Sequence, residues 1–174
     1  MTRQLRGIGV SPGVACAPAF IVRWDFPEVP DRAVKPEHVE LEVRRLREAV
    51  DYVVGHLHDL GQRVLQRAGP EESRIFDAQI LMAQDEDFLG SVETLIRKNT
   101  LSAETAYEFK ALELRNLWSA SASARLRERL ADLHAIQMRM LHRLMGKNSE
   151  ELWEIQPNEQ VIVVAHELSP GLTV

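Results

Sequence analysis

Eight apolar residues, Val39, Val43, Leu46, Val50, Val53, Leu57, Leu60 and Val64, recur alternately four and three positions apart. That spacing keeps one stripe of a long helix apolar from end to end, while Glu, Arg, His and Asp dominate its other positions. A stripe of this kind must be covered. It either zips two chains together or packs against later helices of its own chain in an antiparallel bundle, and the bundle is the expectation here. Pro36 suits a first helical turn, where its missing N–H costs nothing, and Gly69-Pro70 ends this helix and opens the next.

The second helix is expected from about Glu71 to Ala83, and Asp85-Glu86-Asp87 opens a further short one, since carboxylates suit a helix start. Ser102 reads as the N-cap of a third long helix through Trp118, with Ser119 to Ser123 as connector. In a fourth, Leu126, Leu130, Leu133, Ile136, Met140 and Leu144 hold helical spacing, with Arg143 in the last turn and Gly146 just beyond. The second helix has more apolar surface than one core can use. Ile75, Phe76, Ala78, Ile80, Leu81, Met82 and Ala83 spread around most of its circumference, leaving Asp77 and Gln79 as the clear polar positions. Such a helix is either sandwiched inside the fold or presents a surplus face to a partner.

Outside this region the period changes. Gly7 to Arg23 contains two short apolar runs broken by Ser11-Pro12-Gly13, which predicts two strands around a turn. Val161-Ile162-Val163-Val164 is a β-branched run that predicts a buried strand. The order strand, strand, helices, strand places a helical module (residues 34–146) between the opening strands (1–33) and a return strand (147–174) of an α/β domain. The α/β part is incomplete and the sequence reads as a cut chain.

Composition narrows the function classes. The 174 residues are 45% apolar with a formal charge of −5, enough for a core without staples. The acidic balance and the lack of a Lys/Arg block argue against nucleic acid and fit a basic protein partner. No apolar run approaches the length that spans a bilayer, and the single cysteine, Cys16, suits a reducing cytoplasm. No phosphate loop, dinucleotide glycine fingerprint, His-Glu-x-x-His or cysteine pair occurs. The six histidines are scattered, and His56 and His58, two apart, do not share a helix face. They are expected to be solvated.

Four pieces, in order, carry a resemblance. They are Gly7-Ile8-Gly9-Val10-Ser11-Pro12-Gly13-Val14-Ala15; the run from Ile75-Phe76 through Leu81-Met82 to Asp85-Glu86-Asp87-Phe88; Leu126-Arg127-Glu128-Arg129-Leu130-Ala131-Asp132-Leu133; and Val161 to Pro170. Together they resemble the N-terminal part of the phosphoenolpyruvate-protein phosphotransferases, Enzyme I of the bacterial sugar phosphotransferase system. Ala135 replaces a second Asp that the family usually has, and Gly171-Leu172 replace a Ser and an acidic residue.

The resemblance implies an α-dominated α+β fold, a four-helix antiparallel hairpin-type bundle inserted into an incomplete swivelling phosphohistidine domain. It implies docking of the phosphocarrier protein HPr at Leu81, Met82, Phe88, Leu117 and Leu126, ringed by Asp85, Glu86, Asp87 and Arg129, with Tyr107 beside them or in the core. The family's phosphorylated histidine lies in a Gly-Gly-x-x-Ser-His segment that this sequence lacks, so no catalytic residue and no cofactor are expected here. Mg²⁺ and phosphoenolpyruvate belong to a barrel in the parent enzyme, which also supplies the homodimer contact, so this segment is expected to be monomeric. A nitrogen-branch paralogue, a swivelling domain of a pyruvate-phosphate dikinase, and a coiled-coil or bundle interaction module without HPr are the alternatives.

Overall fold

The computed structural model describes residues 7–22, 27–146 and 160–165. These fall into a small strand unit, formed by the first and last of the three segments, and a helical unit, 27–146.

In the strand unit β1 (Ala19–Val22) pairs in parallel with β2 (Ile162–Ala165), in the register Ala19 to Ile162 through Val22 to Ala165. The Ile162 N–H donates to the Pro18 carbonyl at 2.9 Å. The expected strand before Ser11-Pro12-Gly13 is absent among the described residues, and Ile8, Val10 and Val14 are almost wholly exposed. A strand needs a neighbour to receive its backbone groups, and β1 finds its neighbour at β2 rather than in a local hairpin. The expected burial of the return run also differs. Val163 and Val164 are 40% and 48% exposed, because β-branching favours a strand but only a covering layer buries one.

The helical unit holds α1 (Val39–Arg67), α2 (Pro70–Ala83), α3 (Glu86–Asn99), α4 (Ala103–Ser119), α5 (Ala124–Glu128) and α6 (Leu130–Leu144). The five helical stretches read from sequence become six helices because the last of them is interrupted at Arg129; the separate helix opened by Asp85-Glu86-Asp87 is α3, which runs to Asn99. Pro36 opens a single 3-10 turn that leads into α1, and Pro70 starts α2 after Gly69, whose φ of 110° favours glycine. No helix among the described residues is long and apolar enough to cross a membrane.

All eight residues of the α1 stripe are buried, against α2, α3, α4 and α6 of the same chain. The surface that a two-chain zipper would use is thus already covered. At Gly61 a Cβ would lie 3.4 Å from the Cβ of Phe76, and the Ser73 hydroxyl donates to the Gly61 carbonyl at 3.1 Å. This close approach fixes how α2 folds back on α1.

Charge ties the ends of the helices together. Glu42 and Glu104 are each only 4% exposed, and the Glu42 carboxylate accepts the first backbone N–H of α4, from Ala103, at 2.9 Å. Arg45 bonds Glu42 and reaches Glu104 at 3.2 Å and the Leu144 carbonyl, at the end of α6, at 2.7 Å. Arg32 approaches the same two carboxylates at 3.6 and 3.4 Å. The segment bearing Arg32 is strapped down by Val34 N–H to Thr100 O (2.7 Å) and Ser102 N–H to Arg32 O (3.1 Å). Thr100 holds a left-handed φ of 50° there.

A second clasp joins α1 to α3. Arg47 binds Glu93 at 2.6 Å and Glu86 at 2.9 Å, while Arg97 binds Glu40 at 2.8 Å and Glu93 at 3.0 Å. Burial raises the Glu93 pKa, but hydrogen bonds from Arg97 and Arg47 outweigh it and hold the carboxyl below its usual 4.5.

Two outcomes test these ties. Glu42→Ala removes the α4 cap and leaves Arg45 short of a partner, and it is expected to cost about 2–4 kcal/mol by chemical denaturation; a loss within error would mean the buried cluster holds nothing. The folded-state pKa of Glu93 is depressed, so its contribution is present above pH 4.5 and lost as pH falls through the lower folded value. The stability gap between wild type and Glu93→Gln should therefore be full at pH 7 and close on acidification below 4.5, and a gap that widens there would contradict the assignment.

Candidate functional site

A groove of about 410 Å³ opens in the helical unit among α2, α3, α4 and α6. Its apolar lining comes from Met82 at the end of α2, Phe88 of α3, Leu114, Leu117 and Trp118 of α4, and Leu133 and Ile136 of α6. Asp85 positions one side, because its carboxylate accepts the Phe88 N–H at 2.8 Å and caps α3. The cap turns the chain sharply after α2 and brings Phe88 inward. The Phe88 ring then meets Tyr107 edge to face, with centroids 5.5 Å apart and planes at 86°.

Tyr107 is 3% exposed and belongs to the core as well as to the groove wall. Burial pushes its phenol pKa well up, so the ring stays neutral. Asp85, Asp87, Lys110 and Glu113 are the charged groups of the lining, and Lys110 pairs with Glu113 at 2.8 Å.

Six residues singled out in the sequence therefore meet here: Met82, Asp85, Asp87, Phe88, Tyr107 and Leu117. Leu81, Glu86, Leu126 and Arg129 do not line the groove. Leu81 is 73% exposed on α2, which is the surplus apolar surface expected of that helix. Glu86 is engaged by Arg47 of α1. Leu126 is half-buried on α5, and Arg129 pairs with Asp132 at 3.1 Å.

His142 departs from expectation, being 7% exposed rather than solvated, and Gln79, a polar position of the second helix, is only 3% exposed. Leu114, Trp118 and Lys110 were missed as groove residues, although their signal was available. From Tyr107, steps of three, four and three reach Lys110, Leu114 and Leu117, one face of a helix. Among the described residues no three His, Cys, Asp or Glu side chains converge as a metal site. The groove, with Asp85 and Asp87 beside its apolar lining, is suited to holding an apolar surface beside cationic groups.

Comparison with known proteins agrees with this architecture. The sequence profile of the family described as "PEP-utilising enzyme, N-terminal" matches residues 6–129. Phosphoenolpyruvate-protein phosphotransferases are similar over nearly the whole chain. That of Priestia megaterium is 28% identical, with 99% of this chain and 30% of the relative covered; that of Enterococcus faecalis is 30% identical, with the same coverage. The chain thus spans about 30% of the length of these relatives.

A solution NMR structure of Enzyme I superposes with a TM-score of 0.77 at 25% identity, covering 94% of this chain and 65% of the other. The structure described as "N-terminal domain of Enzyme 1 - Nitrogen" gives 0.68 at 25% identity, covering 93% and 65%. With the family profile matched over most of its length and its helix-rich architecture shared with Enzyme I N-terminal domains, this chain belongs to the PEP-utilising enzyme N-terminal family.

Proposed function

We propose that this chain is the HPr-docking part of an Enzyme I, the enzyme that takes a phosphoryl group from phosphoenolpyruvate onto a histidine and passes it to HPr. The observation that carries this reading is the groove, in which apolar side chains of α2, α3, α4 and α6 lie beside acidic groups. In this reading the helices form a bundle inserted in a swivelling α/β domain to which β1 and β2 belong. No Gly-Gly-x-x-Ser-His segment occurs in the sequence, so the chain by itself offers no motif-matched phosphoryl acceptor. Phosphoenolpyruvate and Mg²⁺ act elsewhere in the parent enzyme, in the cytoplasm.

The chemistry of docking follows from the lining. A small convex partner buries apolar side chains against Met82, Phe88 and Leu117, and the pliable thioether of Met82 adapts to its shape. Asp85 and Asp87 attract a basic partner and speed encounter more than they deepen affinity. Phosphoryl relay between two proteins needs fast release, which a modest interface allows. Leu81, Leu126 and Arg129 extend the contact beyond the groove, while Glu86 contributes less charge because Arg47 holds it.

NMR titration with HPr and with its nitrogen-branch counterpart tests the site and identifies the branch. Shifts are expected on α2, α3 and α4 around the groove, and Met82→Ala should weaken binding by about 1–2 kcal/mol. Asp87→Lys should chiefly slow association, by less as salt is added. Shifts confined to Gly7 to Val22 would move the site to the strand unit.

Sedimentation is expected to find a monomer, since the α1 stripe is covered within its own unit. A concentration-independent dimer that Val50→Lys dissociates while the chain stays folded would favour the interaction-module alternative.

A further inference from the structure

The helix expected from Leu126 onward breaks at Arg129, and the short α5 it leaves behind has no buried residue. Two of the proposed HPr contacts, Leu126 and Arg129, lie on this piece or at its end. Leu126 is only half-buried and Arg129 is exposed, so polar contacts share in holding them in place, among them the bond from Arg127 to the Ser121 carbonyl at 2.6 Å.

A relay of polar groups runs from Arg129 into the core. The Arg129 guanidinium donates to Oδ2 of Asp132 at 3.1 Å, and Oδ1 of the same carboxylate accepts from Nε2 of Gln79, on α2, at 2.9 Å. Gln79 is 3% exposed, and its other amide atom, Oε1, is buried with no hydrogen-bond partner. The amide orientation is set by charge, since turning it over would aim Oε1 at the carboxylate. A buried amide used on one side only is a cost to the fold that an apolar side chain of similar size would avoid. Its one bond goes to Asp132.

We infer that Gln79 is a positioning residue for carrier docking: through Asp132 it fixes Arg129 and α5, and thereby the part of the contact surface outside the groove. This rests on the docking reading given above. The relay differs from a packing role in a measurable way, because the side chain that orders α5 is one the core would be at least as stable without.

The test uses the whole 174-residue chain and Gln79→Met, which keeps the volume and deletes the amide. The variant should unfold at the wild-type temperature or above. Amide exchange across residues 124–129 should nonetheless quicken, and HPr should bind more weakly, each by roughly five- to tenfold. In an Arg129→Ala background the same change should add nothing further to the loss of binding, since both act on one relay. Asp132→Asn, which removes an acceptor from one of the two partners, should also loosen α5.

Unchanged exchange in α5 and an unchanged Arg129 side-chain resonance in Gln79→Met would overturn the relay, as would losses of binding that multiply in the double variant. A wild-type chain that binds no HPr would overturn the docking reading, and with it Gln79's part in docking, even where α5 loosens as expected.

Discussion

The helical unit depends on the need to bury one side of a 29-residue helix. Each Val or Leu of the α1 stripe is worth about 1.5–3 kcal/mol when moved out of water, and a helix with that many such residues in a row cannot stand alone. α2, α3, α4 and α6 all pack on α1. Their mutual placement, and hence the groove, follows from where each of them meets the stripe. Gly61 permits the close approach of α2, and the Glu42–Arg45–Glu104 cluster ties helix ends together once the apolar contacts have brought them near.

Electrostatics then divides the acidic residues by task. Asp85 caps α3, and Glu86 and Glu93 hold α1 through Arg47. Glu113 is matched by Lys110. Asp87 lines the groove without such a commitment among the ion pairs of the described residues. A run of three carboxylates that reads as one acidic rim is thus a cap, a brace and an open charge.

Much of the fold was legible because helix periodicity and capping are local. The α1 stripe, the Ser102 cap, the Gly69-Pro70 junction and the glycine after α6 all follow from neighbours in sequence. What was not legible depends on distant partners. The burial of Glu42, Glu104 and Gln79 is set by Arg45, Ala103 and Asp132, and no periodicity encodes those pairings. Parallel pairing of β1 with β2 is likewise non-local. The break at Arg129 was hidden because Leu126 and Leu130 keep helical spacing on both sides of it. On α4 the resemblance had singled out Tyr107 and Leu117, while Lys110 and Leu114 on the same helix face went unread, and a single side chain such as Glu86 had two directions to choose from.

The groove also has a place in the order of synthesis. α1 and α2 are joined by two residues and meet as soon as both have been made, since short loops close quickly. Met82 closes α2, and Phe88 and Tyr107 follow in sequence, but the wall that completes the groove is supplied by Leu133 and Ile136. On the ribosome the chain therefore exposes the apolar sides of α2, α3 and α4 for as long as it takes to make and release α6, which must then displace any other apolar surface that has taken the same position.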